Sequence, residues 1–166
     1  GGLWLQEEPT KEAVLEEILA HDLTPYAEIV FCGYGEPTCR ADDLFWICDQ
    51  LHAAGRADLP PIRLNTNGHG GLINRRDITP ELAGRLDAVS VSLNGSDQEE
   101  YLRLTRPGAG EKGWQAMLDF VRGAAQSVPK VMVSIVDYDK SPQEIEACRK
   151  LAEDLGAIFR VRPFAG

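Results

Sequence analysis

Helical and strand patterns alternate along the whole of this chain, and that alternation limits the fold more than any other feature. Helical signals fall at 11–20, after Pro9 and the capping residue Thr10, and at 41–53, which opens on Asp42 and Asp43 and stops before Gly55. Thr79-Pro80-Glu81 opens a short helix, with proline where its missing N–H does no harm. Ser96 and Glu99 form a capping-box pattern for a helix ending near Leu104. The segment 113–127 carries Trp114, Met117, Phe120, Val121 and Ala124 at helical spacing, the stripe of a core-facing helix. Ser141-Pro142-Gln143-Glu144 caps a last long helix that ends at Gly156. Between these lie strand patterns at 28–31, 62–66, 88–93, 130–136 and 158–161. Such alternation implies parallel strands joined by right-handed crossovers. Five strands are too few for a closed eight-fold barrel of about 250 residues. A doubly wound sheet or a partial barrel remains.

Polar residues gather where each strand ends. Gly33-Tyr34-Gly35-Glu36-Pro37 leaves the first strand; its glycines permit unusual backbone angles, and the following proline holds Glu36 extended. A fixed carboxylate beside exposed backbone groups suits a small cation such as an amino acid's ammonium. Asn65-Thr66-Asn67-Gly68, Ser92-Leu93-Asn94-Gly95, Asp137-Tyr138-Asp139 and Arg162-Pro163 follow the later strands. In a parallel sheet all of them share one rim, where such proteins bind ligands. Any one of them alone is an ordinary turn; their phasing with the strands points to a site. Arg106 could grip a carboxylate with two parallel hydrogen bonds, or pair with a surface acid. Ser92 and Asn94 suit a ribose diol, although Ser92 also fits as a satisfied strand hydroxyl. An amino-acid head group joined to a nucleoside would use the whole set.

The remaining composition narrows the class. At 166 residues the chain is one domain that buries roughly 70% of its unfolded surface. A net charge of −9 argues against a broad nucleic-acid surface, and no apolar run approaches membrane-spanning length. Leu3-Trp4-Leu5 runs directly into Gln6-Glu7-Glu8, which is not the pattern of a signal peptide. Cys32, Cys39, Cys48 and Cys148 form no Cys-x-x-Cys pair and read as reduced thiols of a cytoplasmic protein. Cys39, close to the first turn, is the one thiol that could see a site. His69 reads as a polar loop residue or an acid/base, and Arg75-Arg76-Asp77 as a solvated loop or an anion holder at the rim.

These residues carry a resemblance. Tyr34-Gly35-Glu36-Pro37 resembles the Gly-Gly-Glu-Pro motif of radical S-adenosylmethionine (SAM) enzymes, with tyrosine in place of the first glycine. Asn65-Thr66-Asn67-Gly68 resembles their third-strand turn, the Ser92-to-Arg106 spacing their fourth-strand serine and following arginine, and Phe159-Arg160-Val161-Arg162-Pro163 the strand beside adenine. Together with Pro80-Glu81-Leu82-Ala83-Gly84 and Val89-Ser90-Val91-Ser92-Leu93-Asn94, these strings resemble the TatD-associated branch over nearly the whole chain.

The resemblance implies a partial (β/α)6-type TIM barrel in which SAM binds a [4Fe–4S] cluster. An electron from a donor then cleaves SAM, giving a 5′-deoxyadenosyl radical that abstracts hydrogen from a substrate, an oxidoreductase chemistry. It implies that Tyr34, Gly35 and Glu36 take the methionine ammonium, Arg106 its carboxylate, and Ser92 and Asn94 the ribose. Asn65 would face SAM or substrate, and Arg162 would line adenine through its backbone. One departure is large: the family's Cys-x3-Cys-x2-Cys cluster loop is not in this sequence. The resemblance places that loop and the first strand upstream of Gly1, making this chain the remainder of a longer protein. Two rivals stand beside this reading: a SAM- or nucleotide-binding module without a cluster, and a phosphate-binding barrel enzyme, which would want a Gly-rich loop after a late strand.

Overall fold

A computed structural model describes residues 9–32, 36–93, 95, 97–99 and 112–163. The expected helix from Ser96 to Leu104 lies almost entirely outside the described residues. The element order is α1 (Lys11–Leu19), β1 (Ile29–Phe31), a 3-10 turn (Pro37–Arg40), α2 (Ala41–Ala53), β2 (Ile62–Thr66) and α3 (Gly70–Asn74). A second 3-10 turn (Thr79–Leu82), β3 (Ala88–Ser92), α4 (Lys112–Ser127), β4 (Lys130–Val136), α5 (Pro142–Asp154) and β5 (Ile158–Arg162) complete it.

The five strands pair in parallel in the order β1-β2-β3-β4-β5, each beside its predecessor in the chain. A right-handed crossover at every step puts each connection on the same side of the sheet. The doubly wound alternative, whose strand order reverses midway, is therefore set aside. The architecture is an open, singly wound segment of a barrel, with helices on the convex face and the concave face uncovered by described residues.

Burial follows that division. On β2, Ile62, Leu64 and Thr66 are buried while Arg63 and Asn65 are half-buried; on β3, Val89 and Val91 are buried beneath the helices. The core joins Leu44, Ile47, Cys48 and Leu51 of α2 and Met117, Phe120, Val121 and Ala124 of α4 to those strand residues. Cys148 is likewise fully buried on α5. The Cys48 thiol is pushed up to about 12, chiefly by burial, so it stays protonated and packs as a small hydrophobe. Among the described residues no helix is long and apolar enough to cross a membrane.

Local signals explain most element ends. The Thr10 hydroxyl accepts from Ala13 N at 3.1 Å, and Ser141 and Glu144 form a reciprocal capping box at the start of α5. The short helix α3 has no counterpart in the sequence reading. It begins on Gly70-Gly71, residues of poor helix propensity, and is held by packing. A Cβ at Gly70 would stand 2.6 Å from Ile78 Cδ1, so a larger residue there would force that side-chain end to shift. Cys32 lies just past the first strand and is exposed.

Candidate functional site

Glu36 caps the 3-10 turn that follows β1, in the extended conformation expected before proline (φ −95°, ψ 120°). Its Oε2 accepts from Thr38 N at 2.9 Å, from the Thr38 hydroxyl, and from the Thr66 hydroxyl at 2.6 Å. Its Oε1 accepts from Asn67 N at 2.7 Å. The carboxylate thus ties the end of β1 to the end of β2. A carboxylate offers about four lone-pair sites. Three donors crowd Oε2, so the capacity left for a cation lies on Oε1.

The turn after β2 is wound around the same clamp. Thr66 Oγ1, while donating to Glu36, accepts from Gly68 N at 3.2 Å, and Asn67 Oδ1 accepts from His69 N at 2.9 Å. Gly68 has φ +82°, and a Cβ there would also stand 3.0 Å from Met117 Cγ. The Asn74 amide donates to Thr38 O at 2.9 Å and Gly70 O at 2.8 Å, fastening α3 over the turn. His69 is buried and precedes α3, unlike the open loop residue the sequence suggested. Burial lowers its pKa, opposed by the Glu36 charge and a hydrogen bond to the Gly113 backbone.

The concave face holds a second group. A groove of about 160 Å³ takes two residues from each of four strands: Arg63 and Asn65, Ser90 and Ser92, Met132 and Ser134, Arg160 and Arg162. Residues two apart on a strand point to one face, so this lining is a direct product of strand geometry. Ser92, Ser134 and Arg160 stand in one row of the register. Arg63 pairs with Glu28 at 2.8 Å. Asn65 Oδ1 is buried with no hydrogen-bond partner, an acceptor that a bound donor would satisfy.

Of the residues singled out from sequence, the structure brings Asn65, Ser92 and Arg162 into one groove and locks Glu36 to the end of the Asn65 strand. Tyr34, Gly35, Asn94 and Arg106 lie outside the described residues. Arg63, Ser90, Met132, Ser134 and Arg160 were not singled out as site residues. The signal for Arg63, Ser90 and Arg160 was the period-two spacing of polar positions within otherwise apolar strands. Arg76, a candidate anion holder, instead donates to Asp42 at 2.8 Å and Glu81 at 2.9 Å, the solvated alternative. Cys39 is exposed on the first 3-10 turn.

A bound [4Fe–4S] cluster does not fit the described residues, which contain no group of three or more His, Cys, Asp or Glu able to hold a metal. The groove itself offers hydroxyls, an amide with an orphaned acceptor, and guanidinium groups.

No protein-family profile matches the chain, and no curated protein does. Solved structures do. A structure of TYW1 with a lysine–pyruvate adduct bound superposes with a TM-score of 0.65 at 15% identity, over 95% of this chain and 55% of that one. A radical SAM methyltransferase from Sphaerobacter thermophilus gives 0.59 at 15% identity, over 98% of this chain and 60% of that one. The chain therefore spans little more than half the length of these structures. At this identity the likeness concerns the fold alone: the open, singly wound parallel sheet of this chain superposes on part of both proteins.

Proposed function

We propose that this chain is the SAM-binding core of a radical SAM enzyme, acting with a [4Fe–4S] cluster on an unidentified substrate. The observation that carries the reading is the concave face itself. An uncovered parallel sheet presents a polar groove, and a locked Glu36 turn stands at the carboxyl ends of its first two strands. The fold shared with a radical SAM methyltransferase supports it. The narrower assignment to the TatD-associated branch rests on the sequence strings alone. The resemblance assigns the cluster to a Cys-x3-Cys-x2-Cys loop that this sequence does not contain, and no step through the cluster is assigned to residues of this chain.

Bound SAM would supply an adenosyl group and a sulfonium; the chain's own residues bind and orient it. Glu36 Oε1, with the backbone of Tyr34 and Gly35, would accept the methionine ammonium. Arg106 would hold the methionine carboxylate, as a guanidinium matches its two oxygens. Ser92 and Asn94 would bond the ribose hydroxyls, and the orphaned Asn65 Oδ1 would accept from SAM or substrate. The Arg162 backbone would flank adenine. An external electron donor and a reducing, cytoplasmic setting complete the proposal, in keeping with the free thiols at Cys32, Cys39 and Cys48.

Calorimetric titration of SAM into the full-length protein tests the reading without requiring turnover. Glu36→Ala and Arg106→Ala should each weaken SAM binding about tenfold, the loss of one charge-assisted contact. Unchanged affinity in both variants would overturn the site assignment. Anaerobic incubation of the reconstituted protein with a strong reductant should then yield 5′-deoxyadenosine. SAM binding without that product would favour the non-catalytic SAM-binding module.

A further inference from the structure

The groove on the concave face has a charge opposite to that of the molecule around it. The whole chain carries a net −9, yet the groove is lined by Arg63, Arg160 and Arg162 and by no carboxylate among the described residues. Arg63 is compensated by Glu28. Arg160 and Arg162 have no ion-pair partner among the described residues, although the acidic chain offers elsewhere the pairs that Arg76, Arg85 and Arg149 make. They sit two apart on β5, so both guanidinium groups rise from the same face, with Cα atoms about 7 Å apart. Two guanidinium groups on one face repel, and an anion between them would relieve the repulsion. Ser134, in register with Arg160, brings a hydroxyl group to the same place.

We infer that Arg160 and Arg162, with Ser134, form a subsite for the carboxylate or phosphate group of a small anionic substrate. That the anion is the substrate rests on the proposed SAM chemistry; that the subsite binds an anion does not. The Arg162 carbonyl already accepts from Asp137 N at 3.1 Å, so it is the guanidinium of this residue that is available to an anion. Arg76 is unsuited to the task, because Asp42 and Glu81 already occupy its donors.

The test is calorimetric titration of the full-length protein at low salt with pyrophosphate and, separately, with succinate, each with and without saturating SAM. At least one should bind saturably, and the tighter of the two identifies the group as phosphate or carboxylate. Arg160→Gln and Arg162→Gln should each weaken that binding about tenfold, equivalent to about 1.4 kcal/mol. Arg149→Gln, an equal charge change on α5, should leave it unaltered. Both groove arginines are exposed, and matched urea midpoints would exclude unfolding as the cause. Absence of saturable binding, or equal binding in the Arg160→Gln/Arg162→Gln double variant, would overturn the subsite. Competitive exclusion by SAM would assign it to SAM's own carboxylate and overturn the substrate class. Anion binding in a protein that does not bind SAM would sink the proposed function and leave the subsite standing.

Discussion

Replacing Glu36 by glutamine should destabilise the protein by about 2–3 kcal/mol. The change conserves volume, so packing is not the cause. Four donors converge on the carboxylate: Thr38 N, the Thr38 and Thr66 hydroxyls, and Asn67 N. A glutamine oxygen can still serve the three donors on the Oε2 side, but its NH2 then faces Asn67 N–H, donor against donor. One bond is lost and three lose their charge assistance. Bonds to charged groups contribute about 1.5–3 kcal/mol and neutral ones about 0.5–1.5, so the simple sum reaches several kcal/mol. Partial exposure of the site and rotation of the Thr66 hydroxyl toward other acceptors reduce that figure. With a urea m-value of about 2 kcal/mol/M, the midpoint should fall by about 1–1.5 M. Thermal unfolding should drop by roughly 5–10 °C. A double-mutant cycle with Thr66→Val isolates the clamp, and a coupling of about 1 kcal/mol is expected for groups in direct contact. A midpoint shift below about 0.25 M, or strict additivity with Thr66→Val, would refute the claim that Glu36 joins β1 to β2.

Two further perturbations probe the scaffold around the site. Gly123→Ala on α4 should destabilise by about 1–3 kcal/mol, although alanine is the better helix former by up to about 1 kcal/mol. The new Cβ would lie 2.2 Å from Thr79 Oγ1, which is held by its bond to Asp77 at 2.7 Å; a stabilised variant in chemical denaturation would contradict this packing. His69 should make stability depend on pH. Its folded pKa lies below the ordinary value of 6.5, so the unfolded chain takes up the proton first as pH falls. The contribution is therefore full above about pH 6.5 and declines from there toward the lowered folded value. Urea midpoints between pH 7.5 and 5.5 should fall in the parent protein and fall less in His69→Gln; parallel profiles would remove His69 as the cause.

Much of this architecture was legible in the chain because its signals are local. The alternation of apolar and polar residues from Ile62 and the Ser141/Glu144 capping box need no distant partner to be read. Neither does the proline that holds Glu36 extended. The alternation of helix and strand led to a parallel sheet, and the number of strands ruled out a closed eight-fold barrel. Helix α3 could not be read, because Gly70-Gly71 has poor intrinsic propensity and its stability comes from the contact with Ile78 and the Asn74 bonds.

What the sequence determined by itself is the set of polar groups at the strand ends, since turn chemistry and period two are properties of neighbouring residues. What only the tertiary structure decided is how they are used. Strand order selected the singly wound sheet and left one face uncovered. Pairing of β1 with β2 brought Glu36 to Thr66 and Asn67, across about thirty residues of chain, turning an apparent open acceptor into a clamp with one side to spare. Pairing of β4 with β5 set Arg160 beside Ser134 and made a cationic groove in an acidic chain. Contacts of that range depend on register, and register is fixed by burying the other face of every strand at once.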